Sequence, residues 1–281
     1  MFNFLRKRIG IIGYGNMGLA IASRLSGKYY VVVFDKDKSK TQNLVNIQVA
    51  SSLLDLVKKA DVVILAVKPQ DLGAVLNEIK HDLKTKLIIS IAAGITTGYI
   101  ENILGDCKVI RAMPNLPVRI GKGMICFSKG RFAEQKDLTF SLRLFKNLGR
   151  TMEIEEKLMN DVTAASGSGP AFFYDFIEKQ KNLGNTKLGN IKKEFDKIMV
   201  DYLLSHKCGW TPQDARVVVT TTSAASLALL KIENVDPKDL IIQIASPGGT
   251  TQAGLDKLDN KGTLTDAMDA AIKRAEELSK N

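Results

Sequence analysis

The chain has little of the chemistry that most enzymes carry in their own side chains. It has three cysteines, Cys107, Cys126 and Cys208. They are too few and too scattered for a disulfide framework or a metal site, so reduced thiols in a cytoplasmic compartment are expected and no metal is. Its two histidines, His81 and His206, are lone residues in polar, helical surroundings, and neither is assigned a role. No Ser-His-Asp set, carboxylate pair or metal-ligating cluster is visible along the sequence. The chemistry must therefore come from a cofactor. The single tryptophan, Trp210, precedes a helix cap and reads as a packing residue. No window reaches ~18 uninterrupted apolar residues, which argues against a membrane span and a membrane partner. Basic Met1 to Arg8 followed by apolar Ile9 to Ser23 mimics a leader peptide, but the glycines and Asn16 in that run argue otherwise. The net charge of +10 is dispersed lysine without an Arg-rich arm or a basic block interleaved with aromatics. That pattern steers anionic small molecules and does not describe a nucleic-acid partner.

What is present suits a large core. With 281 residues, 45% of them hydrophobic, the chain is expected to divide into two domains, 1–155 and 156–281. Arg8 to Gly13 reads as a short buried strand. It runs into Gly13-Tyr14-Gly15-Asn16-Met17-Gly18 and then a helix-periodic stretch from Leu19 to Leu25, the context in which G-x-G-x-x-G binds a dinucleotide. Gly13 permits the tight turn, Gly15 lets a pyrophosphate approach the backbone and Gly18 lets helix and strand pack closely. The next strand, Tyr29 to Phe34, ends at Asp35, where a carboxylate binds a ribose 2′-hydroxyl. Lys36, Lys38 and Lys40 follow and suit a 2′-phosphate, so NADH and NADPH both remain open.

Strands and helices go on alternating. A helix is expected over Ser51 to Lys59, a strand over Asp61 to Val67, a break at Lys68-Pro69 and a helix from Asp71. Further strands are expected at Lys86 to Ile91, Val109 to Ala112, Gly123 to Phe127 and Arg150 to Ile154, with a helix over Phe132 to Leu148. The result is an α/β unit with a mostly parallel sheet. The segments Ala66-Val67-Lys68-Pro69, Ala92-Ala93-Gly94 and Met113-Pro114-Asn115 fall at the carboxyl ends of its strands, where such sheets bind ligands.

After about Glu155 the pattern is helical throughout. Ser166-Gly167-Ser168-Gly169-Pro170 reads as a helix break that orients backbone N–H groups. Lysine-rich Glu178 to Asn190 reads as a solvent loop before a helix from about Ile191. Val217 to Leu230 reads as a small-residue helix suited to a subunit interface or an interior. Asp236-Pro237 opens a helix into Ser246, and Thr263 to Leu278 reads as an amphipathic closing helix. Ser246-Pro247-Gly248-Gly249-Thr250-Thr251 offers free amides and hydroxyls before a helix from Gln252, a natural seat for a small anion.

The run of GYGNMG, LAVKPQ, SIAAGI, VIRAMPNLP, GSGPAF and SPGGTTQAGL resembles the pyrroline-5-carboxylate reductase family over nearly the whole chain. That resemblance implies an N-terminal Rossmann domain followed by an all-helical domain that binds substrate and dimerises by interlocking helices, forming a homodimer or larger homo-oligomer. It also implies NADPH- or NADH-dependent reduction of 1-pyrroline-5-carboxylate to L-proline. Carried over by position, Gly13, Gly15, Asn16, Met17 and Gly18 bind pyrophosphate, and Asp35 and Lys36 contact the adenosine ribose. Ala66, Val67, Lys68, Pro69, Ala92, Ala93 and Gly94 line the nicotinamide side, and Asn115 supports it. Gly248, Gly249, Thr250 and Thr251 hold the substrate, Thr251 beside the imine as the catalytic hydroxyl, with Ser168 and Gly169 on the facing loop. The sequence departs from the family at Leu116, where threonine is usual, and at Thr220 and Leu227, which replace a glutamine and a lysine. The lysine-rich segment 179–201 also reads as longer than the family's norm. Two other readings remain open: a β-hydroxyacid dehydrogenase, which needs a lysine soon after the glycine cluster, and a non-catalytic nucleotide-binding relative.

Overall fold

The computed structural model describes residues 7–83, 85–206 and 208–279; of the leader-like run Met1 to Ser23, residues 1–6 lie outside the described residues. Eight strands among the described residues form one sheet: β1 (Arg8–Ile12), β2 (Tyr30–Phe34), β3 (Gln48–Val49), β4 (Val62–Leu65), β5 (Leu87–Ser90), β6 (Lys108–Met113), β7 (Gly123–Lys129) and β8 (Gly149–Glu153). Their order is β3-β2-β1-β4-β5-β6-β7-β8. Every neighbouring pair is parallel except β6 and β7. β4 and β5 are buried at every position, as strands covered on both faces must be. Alternate side chains feed two cores: Ile9, Ile11, Val31, Val33 and Ile64 on one face, Ile12, Val32, Val63 and Leu65 on the other.

The helices of this half are α1 (Asn16–Leu25), α2 (Leu53–Lys59), α3 (Pro69–Ile79), α4 (Thr97–Leu104) and α5 (Gln135–Phe145). α3 begins at Pro69 itself, two residues before the expected start, because proline fits the first helical position without forfeiting a hydrogen bond. α5 is shorter than Phe132 to Leu148, since reciprocal capping between Glu134 and Asp137 sets its start. The two-residue strand β3 has no counterpart in the sequence reading, and it follows left-handed turns at Asn43 and Asn46.

Beyond β8 the described residues are helical: α6 (Met159–Val162), α7 (Gly169–Asn182), α8 (Leu188–Ser205), α9 (Pro212–Glu233), α10 (Pro237–Ile244), α11 (Thr250–Asp259) and α12 (Leu264–Ser279). Two local readings are corrected. Ser166 to Pro170 is not a break: Thr163–Ser168 is a π-helical turn that carries α6 directly into α7. Its widened ring accommodates the small residues while keeping the axis continuous. The lysine-rich loop is confined to residues 183–187, because α7 runs to Asn182 and α8 starts at Leu188, three residues before the expected Ile191. Phe173 and Phe195 meet across these two helices with ring centroids 5.0 Å apart. α9 is long and apolar enough to cross a membrane by length and composition alone. Here Val218, Val219, Ser223, Ala225 and Leu229 turn inward, while Thr220 and Ala224 are exposed.

Candidate active site

The first candidate region is the turn between β1 and α1. A side chain on Gly13 would place Cβ 2.6 Å from the Ala66 carbonyl oxygen, and one on Gly18 would place it 2.1 Å from that of Gly13. Packing therefore requires both glycines, and Gly13 also sits at φ +97°. Gly15 differs: a Cβ there meets nothing within 4 Å. Gly15 is the N-cap of α1 and no side chain caps the helix, so first-turn amides face an open space that fits the pyrophosphate of a dinucleotide.

Asp35 is largely occupied within the protein. Its Oδ2 accepts the Tyr14 amide at 2.7 Å and its Oδ1 the Asp37 amide at 2.9 Å, with Lys40 Nζ at 3.6 Å. It thereby locks the glycine turn to the end of β2. Lys36 is exposed and pairs with Asp71 at 3.3 Å. Met17 packs against the sheet core, and Lys68 caps α3 through its backbone only. Ala66 underlies both glycines of the turn, while Val67 packs partly buried on the opposite face of the sheet. Ala92 is buried and Ala93 packs on the helical core. Gly94, at φ +79°, abuts α12: a Cβ would lie 2.5 Å from the Ala275 carbonyl oxygen, and Ser279 Oγ donates to the Gly94 carbonyl.

The second region lies where the helical half meets the end of β6. Ser168 Oγ receives Thr251 Oγ1 at 2.9 Å and bonds Thr250 Oγ1 at 3.1 Å. All three are buried, with 6% exposure left to each threonine. α11 repeats the arrangement of α1: Gly249 is an N-cap with no side-chain capping bond, preceded by left-handed Gly248. Arg274 Nε holds the Gly248 carbonyl at 2.8 Å. Alongside, Asn115 donates to Ser166 Oγ at 3.2 Å and to Thr222 Oγ1 at 3.4 Å, and its Oδ1 accepts the Met124 amide at 3.0 Å. Asn115 thus acts as a strut between β6, β7, the π-helical turn and α9. Gly169 packs against Thr222, where a Cβ would come within 3.3 Å.

The two regions are tied together: Asn16 Nδ2, in the first turn of α1, donates to the Gln243 carbonyl at 2.9 Å, three residues before Ser246. Arg119 braces the same corner through Glu233 at 2.9 Å and Gln243 at 2.6 Å. On the other side, buried Arg111 bonds Asn160 at 3.1 Å and lies 3.7 Å from Glu156, whose carboxylate also receives the Thr97 amide and hydroxyl. Burial pulls the Arg111 guanidinium down to about 10 against the opposing pull of Glu156, so it stays protonated at neutral pH.

Sequence reading gave no site role to Ser166, Thr222, Gln243 or Arg274. Ser166 and Thr222 had a weak signal, hydroxyl residues inside otherwise apolar helical stretches. Gln243 and Arg274 had none, because a backbone carbonyl and a lone arginine in a helix look ordinary in sequence. The two bonded triads, Asn115 with Ser166 and Thr222 and Ser168 with Thr250 and Thr251, contain no carboxylate, thiol or imidazole. They can orient and donate hydrogen bonds, but they lack a strong base.

A mostly parallel sheet with a glycine turn at its switch point, followed by helices offering a second anion seat, defines a two-domain NAD(P)-dependent oxidoreductase. Residues 8–94 match the family model described as NADP oxidoreductase, coenzyme F420-dependent, and residues 197–278 match that of pyrroline-5-carboxylate reductase dimerisation. The chain is 34% identical to the pyrroline-5-carboxylate reductase of Aquifex aeolicus, with 98% of each chain covered. It is 31% identical to that of Escherichia coli, covering 99% of this chain and all of the other. Among solved structures, the Plasmodium falciparum pyrroline carboxylate reductase with NADP bound superposes with a TM-score of 0.62 at 26% identity, covering 97% and 98% of the two chains. The Streptococcus pyogenes enzyme gives 0.62 at 29%, covering 96% and 98%. This chain belongs to the pyrroline-5-carboxylate reductase family.

Proposed function

We propose that this chain reduces 1-pyrroline-5-carboxylate to L-proline, the last step of proline biosynthesis, in the cytoplasm. NADPH or NADH, when bound, supplies the hydride that the imine carbon accepts while the ring nitrogen gains a proton. The α1 amides next to Gly15 hold the pyrophosphate, with Asp35 and Lys36 at the ribose edge and the ends of β4 and β5 beside the nicotinamide. The free α11 amides of Thr250 and Thr251 take the substrate carboxylate, and Thr251 Oγ1 turns its proton from Ser168 toward the ring nitrogen when substrate binds. Ser168 sets the orientation of both threonines. The boundary between the two working units falls near residue 155, after β8.

The observation that carries this reading is the Ser168–Thr250–Thr251 set at an uncapped helix start, linked to the cofactor turn through Asn16 and Gln243. A dehydrogenase using a lysine acid is disfavoured, because the first lysine after Gly169 is Lys179, which is engaged by the Leu258 carbonyl at 2.9 Å and by Asp175 at 3.0 Å. Oxidation of NAD(P)H on adding pyrroline-5-carboxylate tests the assignment. Cofactor binding without turnover would overturn it and leave the non-catalytic reading. The homo-oligomer is proposed to form over the open face of α9 around Thr220 and Ala224. Sedimentation of Ala224→Glu, expected to release monomers, checks that face.

A further inference from the structure

Away from the hydroxyl network, the start of α6 meets the connection between α8 and α9 in a group of mixed donors. Asp161 Oδ2 lies 3.1 Å from His206 Nδ1, and Cys208 Sγ lies 3.4 Å from the same nitrogen. The three donor atoms all fall within 4.8 Å of one another. We propose that Asp161, His206 and Cys208 bind one thiophilic divalent transition-metal ion of the zinc class, pinning the α8–α9 connection to α6.

The separations match that purpose. A tetrahedral ion with bonds of about 2.0 Å to oxygen and nitrogen and about 2.3 Å to sulfur spaces its N and O ligands about 3.3 Å apart and its N and S ligands about 3.5 Å apart. The two separations to His206 Nδ1 need shifts of only tenths of an ångström, and the carboxylate and thiol lie within 4.8 Å of each other. Thiolate with imidazole and a single carboxylate selects zinc or cobalt over magnesium or calcium. An oriented outer shell is also in place. Trp210 Nε1 donates to Asp161 Oδ2 at 2.7 Å, and the Tyr202 ring stacks on His206 with centroids 5.7 Å apart and an interplanar angle of 20°. Tyr202 is held in turn by Asp269 at 2.5 Å. Such partners fix the geometry of ligands. The Asp161 side chain is 2% exposed but that of His206 is 35% exposed and Cys208 is half-buried, so the ion has an entry side and an open fourth position. Cys107 and Cys126 are fully buried elsewhere and cannot compete.

The sequence argued against a metal site because its three cysteines are few and scattered, and Asp161 itself stands 45 residues before His206. The fold removes that separation. The same helical run carries Asp161 and, further on, Ser166 and Ser168, so the ion would stiffen the element that supports Thr250 and Thr251. The site does not depend on the reductase assignment.

The test titrates the full chain, freed of metal by a chelator, with Co²⁺. One equivalent is expected to produce a thiolate-to-cobalt charge-transfer band that Zn²⁺ bleaches. Cys208→Ser, a conservative change at a half-buried position, is expected to abolish the band while keeping native circular dichroism. Trp210→Phe is expected to lower affinity about 10–100-fold through loss of the outer-shell bond. Zn²⁺ is expected to raise Tm in the native chain and not in Cys208→Ser. Absence of the band, or an undiminished band in Cys208→Ser, overturns the proposal.

Discussion

The starts of α1 and α11 are built to nearly the same backbone plan and held by opposite means. Each helix has a glycine N-cap in extended conformation, Gly15 at φ −75°, ψ −170° and Gly249 at φ −86°, ψ 177°. Each has a left-handed glycine just upstream, Gly13 at φ +97° and Gly248 at φ +68°. The first is fixed by close backbone packing, since Gly13 and Gly18 leave no room for a side chain against Ala66 and each other. The second is fixed by side-chain bonds from distant elements, Ser168 to both threonines and Arg274 to the Gly248 carbonyl. Both leave helix amides free for an anion, but close packing dominates the first loop, beside the single Asp35 bond to the Tyr14 amide, and side-chain bonds dominate the second.

Substitutions can pull the two apart. The largest effect is expected for Gly18→Ala, whose methyl would lie 2.1 Å from the Gly13 carbonyl oxygen. It should cost about 1–3 kcal/mol of stability and remove detectable NADPH binding, read by denaturant midpoint and fluorescence titration. Stability and binding at native levels would mean that α1 can shift away without harm. Next is Thr251→Ala: losing a hydrogen bond to a charged group, worth about 1.5–3 kcal/mol, should lower kcat/KM roughly 10–100-fold with NADPH affinity unchanged. Steady-state kinetics with both substrates varied would expose a misassigned hydroxyl as an unchanged kcat/KM.

Gly15→Ala sharpens the contrast with Gly18. Its methyl meets no protein atom within 4 Å, so stability should fall by less than about 1 kcal/mol. NADPH affinity should nonetheless drop about tenfold, or about 1.4 kcal/mol, because the methyl occupies the phosphate approach. Equal losses of stability in Gly15→Ala and Gly18→Ala would erase the distinction between a packing glycine and a binding one. Smallest is Ser168→Ala, which unties both threonine hydroxyls from the π-helical turn. A few-fold fall in kcat/KM and about 1 kcal/mol in stability are expected, measured by kinetics and thermal melting.

The sheet half was readable because its signals are local. An apolar run, glycines at fixed offsets and an acid at the end of the next strand are set by neighbours a few residues apart, and strands, turn and Asp35 all fall where the sequence placed them. β3 escaped, since two residues carry no period. In the helical half the same local reasoning misled twice. Gly, Ser and Pro at 166–170 suggested a break, yet tertiary packing against β6 and α9 keeps the chain in a π-helical turn. Lysines around 178–190 obscured the helix ends because their polar side chains hide the apolar period that Phe173, Ile177, Ile191 and Phe195 maintain.

By itself the sequence determined the order of elements, the glycine turn, the family and the residues nominated for substrate and cofactor. Backbone sterics and hydrophobic periodicity act over short distances and leave their marks in neighbouring letters. Only the tertiary structure decided that Asn115 is a strut, that Gly94 is spent against α12, that Ser168 gathers Thr250 and Thr251, and that Asp161, His206 and Cys208 share one spot. Those are pairings between residues tens to hundreds of positions apart. Hydrogen bonds and ligand geometry depend on ångström distances that chain order does not encode.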